Sequence, residues 1–476
     1  MINITKEQFN RYKKENIVFP VVVEINGDEI TPISIFYNLE GKNKFLFESC
    51  YNGQESGRYS FIGVNPYKTI KSYGDEIQVI EKEGIEKFKG QVLDYIKKFV
   101  TVDYNSKEIN IPFTGGAVGY AGYDIVRQYE NLKCNNIDEI NIPEAYFMFY
   151  KTIICYDHFR HTLSIIYNVL KESDEDYYSI INEINLLISK IKIKNNIHEI
   201  PKITEEKEFK SNFSEEEFCS IVNKAKEYIK KGDVLQVVLS QRLIADFNSN
   251  PFDVYRRLRS KNPSPYLFYI DFQDFQVVGS SPESLVSVKG DKVITNPIAG
   301  TRPRGRNSEE DNNLKKELLS DEKEISEHIM LVDLGKEDIG NVSEFGSVNV
   351  EKYMEVDFYS RVMHIVSKVS GKLKKDYSCF DALKSCLPAG TVSGAPKLRS
   401  MEIIDELENV KRGLYAGAVG YFSYNGNMDT CIAIRTVIFK DKKAYLQAGA
   451  GIVSNSNAKS EYIETLNKAL GVKEVI

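Results

Sequence analysis

The sequence lacks several features that would assign it to a broad class of proteins. It has no uninterrupted apolar run of about 18 residues, so no segment is predicted to span a membrane. Its start, MINITKEQFNRYKKEN, has no apolar core of the kind found in signal peptides. It carries 62 Lys and Arg against 68 Asp and Glu, whereas nucleic-acid-binding surfaces bring a basic excess. We therefore expect a globular protein that binds neither membrane nor nucleic acid.

Paired-cysteine motifs and phosphate-binding loops are also absent from the sequence. The seven cysteines are scattered and form no CxxC pair, which is typical of reduced thiols in a cytoplasmic protein. The chain contains neither GxxxxGK[ST] nor GxGxxG, so no nucleotide-phosphate site is predicted. Cys155, His158 and His161 have the spacing of metal ligands. They flank a predicted hairpin turn that would scatter their side chains, which disfavours zinc.

Strand signals dominate the first part of the chain. Stretches such as VVVEI, GRYSFIG and MFYKTIICYDHFRHTLSIIYNV are β-branched and aromatic and are separated by turn residues, and the last reads as a hairpin turning at 157–160. The lysine-rich residues 191–212 have no apolar periodicity and read as a linker or excursion. We expect an N-terminal region at 1–190 and a catalytic region at 213–476. Hairpins outnumber βαβ units, so the predicted fold is α+β with large antiparallel sheets.

Helical patterns appear after residue 212. SEEEFCSIVNKAKEYIKKGD predicts a helix that Ser214 caps and Gly232 ends, with Phe218, Ile221 and Ala225 on one face together with Ile229. Further helices are predicted at about 309–334, 395–407 and 459–470. The buried strand VLQVVLSQRL follows the first of these helices.

Three stretches have residue types suited to binding an anion or a cation. ITNPIAGTRPRGR places Arg302, Arg304 and Arg306 on one short loop, which is either a solvated turn or the wall of an anionic site. Glu324 and Glu327 lie on one face of a predicted helix, and Glu461 and Glu464 lie on one face of another. Such carboxylate pairs suit Mg²⁺, or they simply belong to solvated helix faces. AGAGI at 448–452 offers backbone N–H groups for a carboxylate, or is a plain turn.

Two histidines near these stretches had open interpretations. His364 lies in a strand-like run, where a satisfied core histidine is the default. His328 follows the first glutamate pair and could orient it or simply pack on the helix.

Longer blocks carry a family resemblance. GDVLQVVLSQR, SSPESL, PIAGTRPRG, LPAGTVSGAPKLRSMEIIDELE, YAGAVGYFSYNGNMDTCIAIRT and QAGAGIVSNS resemble the large subunits of anthranilate synthases, within the chorismate-utilising enzymes. The resemblance extends from about residue 45 to 470. It implies a two-layer antiparallel β-sandwich framed by helices.

The resemblance also implies roles for individual residues. Glu283 corresponds to the general acid for the departing ring hydroxyl, and His364 and Thr391 to residues beside the reacting ring. Glu327 and Glu464 match direct Mg²⁺ ligands, and Glu324 and Glu461 would hold waters. The residues implied to bind chorismate are Gly300 and Thr301 at the ring carboxylate, Tyr415 and Arg435 at the enolpyruvyl carboxylate, the backbone of Gly449, Ala450 and Gly451, and Lys468 as a support for Glu464.

Two positions favour one activity among the relatives. Aminodeoxychorismate synthase is the alternative activity, and enzymes of that kind carry a nucleophilic lysine where this chain has Ala299. Water-using relatives carry a lysine base where this chain has Gln236. Both residues favour ammonia as the nucleophile and anthranilate as the product. No cysteine stands beside a histidine on a sharp Gly-flanked turn, so a separate glutamine amidotransferase subunit is expected to supply the ammonia.

The resemblance includes a tryptophan feedback pocket. LFES at 46–49 and NPSPYLF at 262–268 match its two sides, with Glu48, Ser49, Pro265, Tyr266 and Leu267 as the contacting residues. A tryptophan sensor without catalysis would lose the metal carboxylates, and all four are present. A departure lies at 334–342, where LGKEDIGNV differs from the usual LGRNDLGRV at Lys336, Glu337 and Asn341.

Overall fold

The computed structural model describes residues 2–49, 57–106, 109–133, 136–171, 173–193, 198–203, 207–358 and 362–476. Its helices are α1 (Lys6–Lys14), α2 (Pro32–Asn38), α3 (Val92–Val100), α4 (Tyr177–Ile191), α5 (Glu215–Lys231), α6 (Pro251–Lys261), α7 (Ser308–Leu318), α8 (Glu322–Gly340), α9 (Cys379–Cys386), α10 (Gly390–Ser393), α11 (Lys397–Leu407) and α12 (Ala458–Lys473), with a 3₁₀ turn at Tyr123–Gln128. None of the helices in the described ranges is long and apolar enough to cross a membrane.

The strands form two large sheets. They are β1 (Phe19–Asn26), β2 (Phe45–Glu48), β3 (Tyr59–Gly63), β4 (Lys68–Tyr73), β5 (Glu76–Glu81), β6 (Gly84–Lys89), β7 (Gly116–Ala121), β8 (Ala145–Tyr150), β9 (Thr152–Asp157), β10 (Thr162–Val169), β11 (Lys210–Ser211), β12 (Gln236–Asp246), β13 (Tyr266–Asp271), β14 (Phe275–Ser281), β15 (Ser284–Lys289), β16 (Lys292–Thr295), β17 (Ile298–Pro303), β18 (Asn349–Phe358), β19 (Val362–Lys372), β20 (Gly394–Ala395), β21 (Ala418–Ser423), β22 (Met428–Ile432), β23 (Thr436–Lys440) and β24 (Lys443–Ile452).

Within the described residues, each sheet has twelve strands. The first runs β1-β10-β9-β3-β2-β13-β14-β23-β24-β12-β11, with β20 beside β12, and the second runs β17-β19-β16-β15-β22-β21-β7-β8-β4-β5-β6, with β18 beside β19. Neighbouring strands pair antiparallel, for example β12 with β24 and β21 with β22. Both sheets combine strands from before and after residues 191–212. The predicted α+β sandwich is confirmed.

Apolar side chains fill three layers. Between the sheets lie residues of both, including Phe45, Phe61, Met148 and Ile270. Helices α1, α2, α4, α6 and α12 cover the outer face of the first sheet, and α3, α8, α9 and α11 cover that of the second. Fully burying each such side chain contributes roughly 1.5–3 kcal/mol. The helices therefore frame the sandwich because each sheet has apolar residues on both faces.

Local sequence signals account for α5. Ser214 Oγ accepts the N–H of Glu217 at 3.2 Å, and the Glu217 carboxylate accepts the N–H of Ser214 at 2.8 Å. Phe218, Ile221 and Ala225 are buried. Gly232 ends the helix in the left-handed conformation, with φ of 83°. The capping, the apolar face and the end of this helix are all as predicted.

Other helices differ from the sequence-based expectation. The single helix expected at 309–334 is two helices, because Asp321 caps a new one by accepting the N–H groups of Lys323 and Glu324. The helix expected from 395 begins at Lys397, since Gly394 and Ala395 pair with β12 instead. Helices α1 to α4 were not anticipated.

Candidate active site

The arginine loop is the end of β17, and it approaches the first glutamate pair. Gly300 has φ of 70° at a bulge in β17, and a Cβ there would lie 3.2 Å from Glu324 Oε2 and 3.1 Å from Leu318 Cδ1. A side chain at this position would be strained and crowded. The glycine therefore lets the backbone of the loop lie directly against the helix that carries the carboxylates.

Ion pairs fix two of the three arginines. Arg302 contacts Glu317 at 2.8 Å, Asp321 at 2.7 Å and Glu324 at 3.4 Å. Arg304 contacts Asp311 at 2.6 Å. These two side chains thus hold the turn against α7 and α8, which agrees with the expectation that most of the arginines brace the loop.

His364 stands opposite the bulge. Its Nδ1 lies 3.0 Å from the Gly300 carbonyl oxygen and 3.0 Å from Thr301 Oγ1. Because a carbonyl oxygen only accepts, Nδ1 carries the hydrogen, and the lone pair of the neutral ring is on Nε2. Burial lowers the pKa of His364 and the charge of Arg435 lowers it further, against the opposing effect of the bond to the Gly300 carbonyl. The ring is therefore neutral and basic at Nε2.

Glu283 lies in the turn between β14 and β15. Burial raises its pKa to about 7, against the opposing effects of Thr391, Lys468 and Arg435. Its backbone is fixed, since its N–H donates to Ser281 Oγ at 3.3 Å and its carbonyl accepts from the Ile432 N–H at 3.0 Å. The carboxyl thus holds a proton near neutral pH in a defined place.

Thr391 lines the same narrow cavity of about 40 Å³ as Glu283. Its hydroxyl is near enough to lower the pKa of Glu283, yet it is buried without a hydrogen-bond partner of acceptable geometry. A buried hydroxyl without a partner is costly and invites one from a bound molecule. The pair therefore has the character of a binding wall rather than of packed core.

The AGAGI segment is the end of β24, so it forms neither the nest nor the plain turn that its glycines suggest. Gly449, Ala450 and Gly451 pair with Ser240, Leu239 and Val238 of β12. Strand β23 covers the other edge only as far as Leu446. Alternate N–H groups beyond that point therefore face away from the ladder, whereas a nest would present successive ones.

Tyr415 and Gln236 lie against these glycines. A Cβ on Gly449 would be 2.8 Å from Tyr415 Oη and 2.9 Å from the Leu239 carbonyl oxygen, and one on Gly451 would be 2.4 Å from Gln236 Nε2. Tyr415 is buried. The absence of side chains at both positions is what admits the tyrosine hydroxyl and the glutamine amide to the strand.

Arg435 completes this wall of the cleft. Its side chain is exposed to the solvent of the cleft. It is nevertheless surrounded closely enough by protein for burial to lower its pKa, which Glu283 opposes. Its backbone has φ of 49°, outside the regions that side chains prefer. A cation in that position can meet an anionic ligand in the cleft.

The four glutamates come from α8 and α12. Burial raises the pKa of Glu327, and the charges of Glu324 and Glu464 raise it further. Burial likewise raises the pKa of Glu461, with Glu464 adding to it. No three His, Cys, Asp or Glu side chains in the described ranges are close enough together to hold a metal ion. The carboxylates thus repel one another across the two helices without converging on a point.

Lys468 connects these carboxylates to β24. Its Nζ lies 2.8 Å from Glu464 Oε1 and donates to the Gly449 carbonyl oxygen at 3.1 Å. The expected support of Glu464 by Lys468 is therefore present. His328 does not orient the glutamates: it is fully buried and its Nε2 lies 2.7 Å from Ser367 Oγ.

A second and larger cavity, of about 500 Å³, opens between the two sheets. All five residues expected at the feedback pocket line it: Glu48, Ser49, Pro265, Tyr266 and Leu267. Both oxygens of Glu48 are already bonded, by Arg259 Nε and Nη2 at 2.8 and 3.2 Å and by the Tyr255 hydroxyl. Glu48 therefore lines this cavity with its carboxylate already held by Arg259 and Tyr255.

Sequence reasoning missed Asp429 of β22 in the same cavity. Its Oδ1 accepts the hydroxyl of Tyr266 at 3.0 Å, and burial raises its pKa to about 6. The sequence does contain one indication of this residue, a single acid within the otherwise apolar strand MDTCI. A carboxylate there is costly unless it has a hydrogen-bond partner or a ligand.

Comparison with known proteins finds relatives along almost the whole chain. Anthranilate synthase component 1 of Acetivibrio thermocellus is 47% identical over 99% of this chain and 98% of the relative. The Saccharomyces cerevisiae anthranilate synthase component 1 is 42% identical over 95% of this chain and 91% of the relative.

Solved structures show the same fold. Anthranilate synthase component I from Streptococcus pneumoniae TIGR4 superimposes with a TM-score of 0.80 at 40% identity, covering 94% of this chain and 98% of the other. The menaquinone-specific isochorismate synthase of Escherichia coli shares the fold at 18% identity, with a TM-score of 0.73 over 99% and 98% of the two chains. Residues 42–473 match the family described as chorismate binding enzyme, and the chain belongs to that family.

Proposed function

We propose that the chain converts chorismate and ammonia to anthranilate and pyruvate, the activity for which its relatives are named, in the cytoplasm and as a step of tryptophan biosynthesis. The observation that best supports this proposal is the group of charged side chains in the cleft. It places a carboxyl with a pKa of about 7, Glu283, within electrostatic reach of Arg435 and Lys468 and beside Thr391. A dianionic substrate needs cations, and a leaving hydroxyl needs an acid.

The walls of the cleft suit the two carboxylates of chorismate. Arg435 and the Tyr415 hydroxyl hold the enolpyruvyl carboxylate, because a guanidinium binds a carboxylate through two parallel bonds. The outward N–H groups of 449–451 supply further donors. The bulge at Gly300 and Thr301 receives the ring carboxylate on the side of the glutamate helices.

The glutamates of α8 and α12 have the donor chemistry that Mg²⁺ prefers, and binding of the ion would bring them together. Glu327 and Glu464 are the proposed direct ligands, with Glu324 and Glu461 acting through water, and all four offer the oxygen donors that this cation prefers. Burial raises the pKa of Glu327 and of Glu461, and the neighbouring Glu324 and Glu464 charges raise it further, which is an excess of negative charge that a cation would relieve. When bound, the ion withdraws electron density from the ring through its carboxylate.

Glu283 and His364 divide the proton transfers. Ammonia forms a bond to C2 of the ring while the C4–O bond breaks, and Glu283 gives its proton to the departing hydroxyl, which leaves as water. The nitrogen added at C2 gives up one proton, which restores the Glu283 carboxyl. His364 Nε2 then takes the ring proton from C2 as the C3–O bond breaks and the ring becomes aromatic, and that proton passes to the methylene carbon of the released enolpyruvate to give pyruvate. The neutral state of His364, favoured by its lowered pKa, suits a base.

The nucleophile is ammonia because the competing residues are missing. Ala299 is buried in β17 and has no nucleophilic atom. Gln236 is buried beside Gly451, and its amide is too weakly basic to activate water. These two positions separate the proposed activity from aminodeoxychorismate and isochorismate formation.

A separate glutamine amidotransferase subunit supplies the ammonia. Burial raises the pKa of the five described cysteines, Cys155, Cys219, Cys379, Cys386 and Cys431. A glutaminase needs the opposite, a thiol with a lowered pKa. Cys50 and Cys134 lie outside the described residues.

Tryptophan is the proposed occupant of the second cavity and inhibits from there. The cavity of about 500 Å³ has apolar walls such as Phe47 and Leu267 for an indole ring. Ser49 and the half-buried carboxylate of Asp429 offer acceptors for an ammonium group. Glu48 contributes through Arg259 and Tyr255.

The test is a product assay on the purified chain. Chorismate, ammonium and Mg²⁺ should give anthranilate, identified by its fluorescence and by chromatography. Glutamine should not replace ammonium unless an amidotransferase is added. Formation of aminodeoxychorismate or isochorismate in place of anthranilate would contradict the assignment, and efficient use of glutamine by the chain alone would contradict the separate subunit.

A further inference from the structure

Arg412 and Glu408 form an ion pair that is almost completely buried, at 2% and 4% exposure. Arg412 Nε donates to Glu408 Oε2 at 3.0 Å and Nη2 donates to Oε1 at 2.6 Å. Removing two charges from water costs several kcal/mol, and their attraction offsets this only with very good geometry. Stability alone is therefore a poor reason for the pair, and its contacts indicate another.

The remaining bonds of Arg412 go to two separate parts of the candidate site. Nη1 donates to the Val392 carbonyl oxygen at 2.6 Å, directly after Thr391. Nη2 donates to the Val238 carbonyl oxygen of β12 at 2.8 Å. The guanidinium also lies 5.5 Å from the ring centre of Tyr415 and 4.8 Å from that of Tyr123.

Glu408 extends the same network to the glycine strand. Its Oε1 accepts the N–H and the hydroxyl of Ser240 at 2.8 and 2.9 Å. Ser240 is the β12 partner of Gly449, and Val238 is the partner of Gly451. The buried pair of Arg412 and Glu408 thus contacts α10 next to Thr391, strand β12 beside Gly449 and Gly451, and the ring of Tyr415.

We propose that Arg412 is a positioning residue that, with Glu408, holds these three walls in register for the two carboxylates of chorismate. The inference rests on the proposed function and adds a residue that touches no substrate atom. Only the planar fork of an arginine can bond a carboxylate and two carbonyl oxygens in different directions while lying against two rings. A lysine would keep the charge but lose most of these bonds.

Arg412→Lys and Glu408→Gln test the proposal, with Arg127→Lys as the matched control. Arg127 makes a similar forked pair with Asp405, at 2.6 and 2.5 Å, and its other bonds go to Asp124 and to the Lys133 carbonyl, which lie outside the cleft walls. For each variant we would measure the melting temperature and the kcat and KM for chorismate. Calorimetric binding of chorismate with Mg²⁺ but no ammonium gives a readout that is independent of turnover.

We expect the chorismate KM and the calorimetric Kd to rise by about tenfold or more in Arg412→Lys, since small misplacements of a binding wall have effects of this size. Glu408→Gln should show the same pattern, and it carries the test if Arg412→Lys does not fold. Arg127→Lys should lose melting temperature but keep both constants.

Unchanged constants in both site variants, or an equal rise in Arg127→Lys, would overturn the positioning role. The proposed activity fails separately, if the unaltered chain makes no anthranilate. The calorimetric comparison still decides the positioning role in that case.

Discussion

The Glu283 carboxyl shows how burial at a single residue sets the pH range of a reaction. Its pKa is raised from 4.5 to about 7. The group is protonated below that pH and loses its proton as the pH rises through it, so the acid form disappears above about pH 7. We expect kcat/KM for anthranilate formation to fall about tenfold per pH unit on that side.

Glu283→Gln provides the comparison. An amide cannot give up a proton to the leaving hydroxyl, so kcat should fall by about 10²–10⁴-fold and the descending limb near pH 7 should vanish. Stopped assays of anthranilate across pH 5.5–9, a range of about two units on either side of the expected pKa, would show both effects. A limb that persists unchanged in the variant would assign it to another group.

Gly449 is a residue at which a single methyl group tests the cleft. A Cβ there would lie 2.8 Å from Tyr415 Oη and 2.9 Å from the Leu239 carbonyl oxygen, both too close. Gly449→Ala should therefore displace the tyrosine and raise the chorismate KM about tenfold. Gly340→Ala is the control, since nothing lies within 4 Å of a Cβ at that position in α8. Steady-state kinetics of both variants decide, and an equal KM in the two would place Gly449 outside the binding wall.

Among the elements, α8 begins with a cap at Asp321 and carries the first glutamate pair close behind it. Asp321 accepts two backbone N–H groups there and pairs with Arg302 at 2.7 Å. Asp321→Ala should lower stability by about 1–2 kcal/mol through loss of the cap, and should raise the Mg²⁺ concentration for half-maximal rate because Glu324 and Glu327 follow on the next turns.

Ser214→Ala at α5 is the matched comparison. It removes a cap of similar strength from a helix that carries none of the four glutamates. Thermal unfolding and Mg²⁺ titrations of the two variants separate the effects. The same Mg²⁺ dependence in both would show that the cap of α8 has no influence on the carboxylates.

The elements differ in how far sequence reveals them. Helix α5 was predictable because its cap, its apolar face and its terminal glycine are all local signals. The break before α8 is less evident, since Asp321 lies within one continuous acidic pattern and, besides capping α8, pairs with Arg302 from β17. The glycines of AGAGI suggest a nest or a plain turn, whereas the segment is a strand in which contact with Tyr415 and Gln236 excludes side chains.

Local sequence patterns likewise indicate only part of the candidate site, and the family resemblance supplies the rest. Composition and spacing indicated the glutamate pairs and the arginine loop, but the assignment of Glu283, Tyr415 and Arg435 came only from matching blocks. Their meeting in one cleft depends on strands far apart in sequence. Asp429 and Arg412 were missed because each acts through tertiary contacts that no local pattern encodes.

At the scale of the whole molecule, the two cavities share a strand. Met428, Asp429 and Cys431 of β22 line the large cavity, and Ile432 of the same strand lines the small one. The Ile432 N–H bonds the Glu283 carbonyl, and the Ser281 hydroxyl donates to the Ile432 carbonyl at 2.7 Å. A ligand that shifts β22 in the large cavity would therefore move the backbone of the proposed acid.

Ser49→Leu tests this link from the far side of the large cavity. Leucine fills part of the apolar slot and removes a hydroxyl, so tryptophan should bind more weakly. Loss of one such bond costs about 1–3 kcal/mol, or roughly ten- to a hundredfold in the inhibition constant. Catalysis without tryptophan should persist, since Ser49 lines only the large cavity. Inhibition curves recorded beside melting temperatures distinguish the two roles of this residue, because an unaltered curve in a destabilised protein would make Ser49 a packing residue and remove tryptophan from the cavity.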